Sequence, residues 1–367
     1  MKKSFLYLSF FSFLIASCTP KQEKPTLAEK IDGFFSTQYP ADQPGGAVLV
    51  LKDTTVLFSK GYGLADLKTK VRITPKTLFN LGSISKTFVA NGILILQEQG
   101  KLSVEDSIFK YFPKFKNKAI AQKVKIKHLL THTSGLPDNR QVSKDSVFFL
   151  TANDAQNWYP ITQTDTLEFE PGSKYNYSNP AYNALALIIE QVSGQKWQDF
   201  IKEKILLPSG MPTTTITDGA HPSEGVSHAY TKIAHQWTED DYGEEPTFCA
   251  SGNGGVWSSL DELAHYETAL RNAVFLKPET IRDSRTVKTF PNWSDTKPAD
   301  RGWSWQVLDV AGTKTSEHTG HQGGFADNYI AFPEKRILIV VLDNAPYDVY
   351  LYREKLIGFL TEGGFLN

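Results

Sequence analysis

The sequence predicts an α/β (α+β) fold in which one sheet is assembled from both ends of the chain. Three observations predict it. Runs rich in β-forming residues lie near the N-terminus, at 46–51 and 56–62. Helical periodicity dominates from about Phe79 to about Leu276. β texture then returns after Arg301. The assembly this suggests is a sheet with helices on its faces and a helical region inserted between its two halves. At 367 residues, 40% hydrophobic and 22% charged, the chain can bury a large core. A net charge of −1 gives no reason to expect nucleic acid or another polyanion as partner.

The elements follow in order. Lys2 and Lys3 precede a short apolar run at 5–15, too short to span a bilayer as a helix. The string Ile15-Ala16-Ser17-Cys18 resembles the bacterial lipobox, so residues 1–17 read as a lipoprotein signal peptide and Cys18 as the lipidated residue. Residues 18–26 read as a tether, which would place the chain in the cell envelope, exported and lipid-anchored, facing the periplasm or on the outer membrane. With Cys18 lipidated, Cys249 stands alone, which leaves no disulfide framework and no cysteine metal site. The remaining domain, 27–362, divides into a sheet part (about 27–78 and 300–362) and a helical part (about 79–280).

Leu27, Ile31, Phe34 and Phe35 have helical spacing. The runs at 46–51 and 56–62, separated by Lys52-Asp53-Thr54-Thr55, read as a β-hairpin. Further helices are expected at 124–131, 182–192, 197–207 and 260–271. The stretches 137–166 and 213–245 read as long polar loops. Strands are expected at 303–310, 325–332 and 337–342, the last a continuous apolar run suited to a buried central position. A final helix is expected at 347–361.

The chemistry concentrates at 78–100. Ser83-Ile84-Ser85-Lys86 is an S-x-x-K string at the start of an apolar helix that ends at Gly100. Three residues is nearly one helical turn, so Ser83 and Lys86 share a face. A serine hydroxyl needs a neighbouring base, and a lysine serves if burial or nearby charge lowers its pKa. The helix N-terminus favours developing negative charge. Tyr177-Ser178-Asn179 forms a Y-x-N string: the tyrosine can shuttle a proton, and the asparagine can hydrogen-bond a bound amide or ester. It also reads as a turn, with Asn179 capping a helix that has Pro180 at its first position. His318-Thr319-Gly320-His321, before Gln322-Gly323-Gly324, lies between two predicted strands, where exposed amides could join that of Ser83 in an oxyanion hole. A glycine hairpin is the plainer reading. His132-Thr133-Ser134-Gly135-Leu136 follows the 124–131 helix and reads as loop-positioning or structural.

These motifs, in this order, resemble the penicillin-recognising serine hydrolases. The branch most like this chain holds class C β-lactamases, D-alanyl-D-alanine carboxypeptidases, D-aminopeptidases and family VIII esterases. Leu129–Leu136, Pro171-Gly172 and Gly254-Gly255-Val256-Trp257-Ser258 fit the same likeness, which covers roughly 27–360. The resemblance implies a β-lactamase/transpeptidase-like fold with an antiparallel sheet. It implies Ser83 as acylated nucleophile, Lys86 as base or activating cation and Tyr177 as proton relay. Asn179 would contact substrate or Lys86. His318, Thr319 and Gly320 would form the third motif, and the His321 amide would enter the oxyanion hole. No metal or organic cofactor is implied. Substrates would be a small molecule or peptide: an ester, a D-amino-acid peptide or a β-lactam. True β-lactamases usually carry lysine where this chain has His318. A neutral histidine is a weaker carboxylate partner, so the resemblance favours an esterase or peptidase role over efficient β-lactam hydrolysis.

Other readings fit less well. An α/β-hydrolase needs G-x-S-x-G, and the string here is Leu81-Gly82-Ser83-Ile84-Ser85. His128 and His132 lack the glutamate of a zinc H-E-x-x-H, and His318 with His321 lack a third ligand. The acids Glu239, Asp240, Asp241, Glu244 and Glu245 read as a solvated loop rather than a calcium site. A non-catalytic envelope protein that binds peptidoglycan or peptides with a retired hydrolase site is the alternative from another functional class.

Overall fold

The computed structural model describes residues 25–140, 151–216, 222, 224–240, 249–310 and 312–366. The expected leader at 1–17, Cys18 and most of the 18–26 tether lie outside these residues.

Helix α1 (Leu27–Gln38) opens the domain, with Thr26 and Glu29 forming a capping box. The expected hairpin follows as β1 (Gly46–Lys52) and β2 (Thr55–Tyr62). Next come the short strand β3 (Phe79–Asn80), a single 3-10 turn (Gly82–Ile84) and helix α2 (Ser85–Glu98). The helical part continues with α3 (Lys118–Lys123), α4 (Ile126–Leu130), α5 (Asp154–Thr162), α6 (Asn179–Ser193) and α7 (Trp197–Ile201). Short strands β4 (Thr215–Ile216), β5 (Tyr230–Ile233), β6 (Gln236–Glu239) and β7 (Val256–Ser258) lead to α8 (Leu260–Arg271) and α9 (Pro278–Ser284). The chain ends with β8 (Gln306–Val310), β9 (Thr313–Gln322), β10 (Phe325–Phe332), β11 (Ile337–Asp343) and α10 (Val349–Glu362).

The main sheet has the order β2-β1-β11-β10-β9-β8, and every neighbouring pair is antiparallel. Its two halves join at β1–β11, with Gly46 opposite Asp343 and Lys52 opposite Ile337. Both faces are covered, which explains why β11 reads as an unbroken apolar run. Leu338, Val340 and Leu342 enter the core on the helical side, with Ala47 and Leu49 of β1, Phe88 of α2 and Trp257 of β7. Ile337, Ile339 and Val341 face the other way and pack with Val48, Val50, Ile31 and Phe35 of α1 and Leu356 of α10. Truncating a side chain as buried as Phe88 to alanine would cost about 3–5 kcal/mol.

The structure corrects several expectations. The polar stretch 137–166 contains α5; Pro160 inside it masked the helical pattern. The stretch 213–245 holds β4 and the β5–β6 hairpin, and Glu239 of the expected acidic loop ends β6 and pairs with His228 at 2.9 Å. The helix expected at 197–207 stops being α-helical at Ile201 and continues as a π-turn over Lys202–Leu206. Strand β8 begins at Gln306 rather than at 303, because Ser304 takes a left-handed backbone with φ +73. Ser178, not Asn179, caps α6: its side chain accepts from the Ala181 N–H, and Asn179 and Pro180 open the helix.

Candidate active site

The third motif sits inside a strand, not in a turn between strands. His318, Thr319, Gly320 and His321 belong to β9, and only Gly323 and Gly324 make the hairpin. This strand was hidden because it lacks an apolar alternation. Its buried polar side chains are held by partners instead: the Thr315 hydroxyl donates to Glu317 at 2.5 Å, and Glu317 forms a paired contact with Arg353 at 2.6 Å through each of two guanidinium nitrogens.

β9 lies against the turn that carries Ser83, and two glycines allow the approach. Gly82 has φ +46, and a Cβ there would lie 2.7 Å from the His321 amide nitrogen. A Cβ on Gly320 would lie 2.1 Å from the Leu81 carbonyl oxygen. The His321 amide is thus brought beside the residue that precedes Ser83.

Helix α2 is buried from Ser85 through Leu96. Its polar groups are satisfied: Ser85 Oγ accepts from the Val256 N–H at 3.1 Å, Thr87 donates to the Ile84 carbonyl at 2.8 Å, and Asn91 donates to Tyr266 at 2.6 Å. Lys86 is fully buried on this helix. Its Nζ is 3.0 Å from Ser83 Oγ and 2.6 Å from the Asn253 carbonyl oxygen, over the rings of Tyr177 and Tyr182 at 5.1 and 5.7 Å. Among the described residues no carboxylate pairs with it. Burial drives its pKa well below the ordinary lysine value, and the nearby Arg140 cation pushes the same way. A lysine whose pKa is lowered in this way is suited to act as a base toward a neighbouring hydroxyl.

Tyr177 completes the arrangement from the opposite side. Its hydroxyl donates to Ser83 Oγ at 2.8 Å. The residue is 40% exposed and lines the cleft, and burial still raises its pKa above the ordinary tyrosine value. The group is therefore a neutral phenol, a donor rather than a phenolate base. His132 stacks on this ring, with centroids 4.4 Å apart. It takes a left-handed backbone at φ +56, and its Nδ1 accepts from the Ser178 N–H at 3.1 Å. Burial keeps it neutral. The motif read as loop-positioning thus lies directly under Tyr177. His128, four residues earlier, accepts from the Lys125 N–H at 3.1 Å, and its ring centroid lies 5.2 Å from that of Phe290.

Among the described residues no hydrogen bond joins Asn179 to Lys86, whose Nζ donates to the Asn253 carbonyl. The Gly254-Gly255 string was the available signal for this segment. Behind it, Asp154 of α5 accepts with one oxygen from both Asn183 of α6, at 2.7 Å, and the Gly252 N–H, at 2.8 Å. Burial raises that carboxyl to about 7.

Ser83 opens into a cleft of about 520 Å³ whose lining includes Tyr175, Tyr177, Arg301, His318, Thr319 and His321, together with Glu317 and Arg353. Burial lowers His318 to about 3, so this ring is uncharged at neutral pH. Its Nδ1 contacts the Thr319 carbonyl at 2.7 Å, and a neutral ring makes this contact as a donor. Arg301, not singled out from the sequence, supplies the cation on that wall. Its guanidinium lies 4.5 Å from the Tyr175 ring centroid and pairs with Asp300 at 3.1 Å.

A fold of this topology, with a buried lysine and a tyrosine hydroxyl both on one serine, defines a class, and the comparisons place the chain within it. The family model described as "Beta-lactamase" matches residues 36–359, and the chain belongs to this family. Penicillin-binding protein 4* of Bacillus subtilis (strain 168) is 29% identical over 347 residues, covering 89% of this chain and 73% of that protein. A putative D-alanyl-D-alanine carboxypeptidase of Escherichia coli (strain K12) is 28% identical, covering 95% and 92%. Among solved structures, an octameric penicillin-binding protein homologue from Pyrococcus abyssi has a TM-score of 0.77 at 24% identity, over 92% of this chain and 77% of that one. D-amino acid amidase from Ochrobactrum anthropi SV3, complexed with L-phenylalanine amide, has a TM-score of 0.76 at 20% identity, over 92% and 99%. The antiparallel β-lactamase/transpeptidase-like fold is shared with these structures.

Proposed function

We propose that this protein is a serine hydrolase that works through an acyl-enzyme on Ser83. One observation carries the reading: Ser83 Oγ lies 3.0 Å from a buried Lys86 Nζ and 2.8 Å from the Tyr177 hydroxyl. Neutral Lys86 takes the serine proton as Oγ attacks a substrate carbonyl. The backbone N–H groups of Ser83 and His321 hold the oxyanion. The carbon–leaving-group bond then breaks, and the departing nitrogen or oxygen takes a proton from Tyr177, which regains one from Lys86. Water attacks the ester on Ser83 by the same route in reverse and releases the acid. The chemistry draws on side chains and backbone alone, with no cofactor.

The substrate is an ester or amide, and a D-amino-acid peptide or amide is the leading class. The names of the carboxypeptidase and amidase relatives support this choice. A neutral His318 and a cationic Arg301 support a substrate whose carboxylate is met by Arg301. Arg301→Ala is expected to raise KM for a carboxylate-bearing D-peptide about tenfold and to leave a neutral ester almost unaffected. The lipobox-like string supports envelope localisation through Cys18, tested by lipid labelling of wild type against Cys18→Ala.

The experiment is intact mass of the soluble domain after incubation with a fluorescent penicillin and, separately, with p-nitrophenyl butyrate, alongside Ser83→Ala. A stable penicillin adduct on Ser83 supports a slowly deacylating, carboxypeptidase-like enzyme. Ester turnover without an adduct supports an esterase. Wild type indistinguishable from Ser83→Ala with both reagents, and with a D-amino-acid peptide panel, would favour a retired site that only binds.

A further inference from the structure

A second cleft, of about 530 Å³, lies away from Ser83, between the end of α8, helix α9, the start of β9 and the β10–β11 turn. It is as large as the catalytic cleft and differs in chemistry. Five of its thirteen lining residues are cationic (Arg271, Arg282, Arg285, Lys314 and Arg336), and Glu334 is the one acid. Part of the wall is apolar, including Leu270, Ile281 and Pro333.

The floor carries an excess of buried positive charge. Arg271 and Arg285, each with a side chain only 5% exposed, share one carboxylate, the fully buried Glu267. Arg271 Nε donates to it at 3.0 Å, and Arg285 donates at 3.0 and 2.6 Å. Two guanidinium groups against one carboxylate leave one positive charge uncompensated in a site of low dielectric. Arg271 Nη2 and Arg285 Nε have no hydrogen-bond partner among the described residues. The mouth adds little neutralisation. Lys314 meets Asp309 at 3.2 Å with both side chains more than half exposed, a pair of small worth. Arg336 pairs with Asp53 in a similarly exposed contact. Arg282 has no ion partner among the described residues.

We infer that this cleft is a second binding site, for a small organic anion with an apolar body, the carboxylate or phosphate lying toward the arginines and the body against Leu270 and Ile281. The charge of such a ligand offsets the excess on the floor, and its apolar part covers surface that water solvates poorly. This cleft would bind its ligand whatever the chemistry at Ser83. The site is also connected to it covalently, because β9 contributes Lys314 and Ser316 to this cleft and His318 and Thr319 to the catalytic one.

Phenyl phosphate is the probe, with inorganic phosphate and benzyl alcohol as its charged and apolar halves. Calorimetric titration of the soluble domain is expected to show saturable binding of phenyl phosphate, about tenfold tighter than inorganic phosphate, and none of benzyl alcohol. The exposed double variant Arg282→Glu/Lys314→Glu is expected to weaken phenyl phosphate at least about tenfold. It should label with an active-serine probe like wild type, which also shows that it is folded. Arg301→Ala, in the catalytic cleft, should leave phenyl phosphate binding unchanged. Binding lost in Arg301→Ala but kept in the double variant, competition between phenyl phosphate and the active-serine probe, or no saturable binding would each overturn the inference.

Discussion

Two buried cationic sites in this protein have opposite fates. Lys86 is buried with a hydroxyl, a carbonyl and two aromatic rings around it and no carboxylate among the described residues. Arg285 is also buried, its side chain 5% exposed, but Glu267 meets it with two hydrogen bonds. Burial therefore drives the Lys86 pKa down, whereas the carboxylate holds the Arg285 pKa above its ordinary value. What separates them is the counter-ion: Glu267 raises the Arg285 value, and no carboxylate acts on Lys86 among the causes of its shift. A buried cation without a carboxylate becomes a base, and one with a carboxylate becomes a structural tie.

Substitutions at the two sites should therefore fail in different ways. Lys86→Met keeps the length of the side chain and removes the amine. It is expected to slow acylation of Ser83 by roughly 10²–10⁴-fold, with thermal stability unchanged or raised. Glu267→Gln does the reverse. It strands two buried guanidinium groups and should cost about 3–5 kcal/mol in denaturant unfolding, while the folded fraction still labels at Ser83. If Lys86→Met unfolded the protein, or Glu267→Gln left stability intact, the contrast would be broken.

Asp154 sharpens the comparison with a buried group of the opposite sign. Its folded pKa of about 7 lies above the unfolded value near 3.8, so folding takes up a proton between those pH values. Its contribution to stability is present at low pH and declines as pH rises through that window. Asp154→Asn should remove this slope from the pH dependence of the melting temperature and keep an acceptor for Gly252 and Asn183. Asp154→Ala removes the acceptor. It is expected to lower kcat with little change in KM, because the Gly252–Asn253 segment that faces Lys86 loses its tie to α5.

The smallest effect is expected at the surface, where Lys30 and Glu362 pair at 2.6 Å with the glutamate well exposed. Lys30→Ala should change stability by less than about 1 kcal/mol, and salt should erase the difference.

Much of this contrast could be read in the sequence, and the unread part has a physical pattern. S-x-x-K spacing put Ser83 and Lys86 on one face because helical geometry is local, and the structure brings them within 3.0 Å. The Y-x-N string pointed to Tyr177, although no hydrogen bond joins the asparagine to Lys86 among the described residues. Apolar periodicity located α8, β10 and β11 to within a residue. Strand β9 was not legible, because Glu317 and its neighbours are held by Arg353 and by ladder hydrogen bonds instead of apolar burial. The partners supplied across long sequence separations were equally hidden. The Asn253 carbonyl is a backbone atom that any residue could present, and Arg301 reaches the cleft only through the fold.

The most direct measurement is the pH dependence of the second-order rate of Ser83 acylation by an active-serine probe. In the proposed mechanism the neutral amine of Lys86 accepts the serine proton, so the rate should rise with pH through a single ionisation well below the ordinary lysine value of 10.5 and level off above it. The same limb should persist in His318→Gln, because His318 titrates near 3, and should vanish in Lys86→Met. A rate that follows an ordinary lysine pKa, or a limb that survives in Lys86→Met, would contradict the claim that burial without a counter-ion makes this lysine the base.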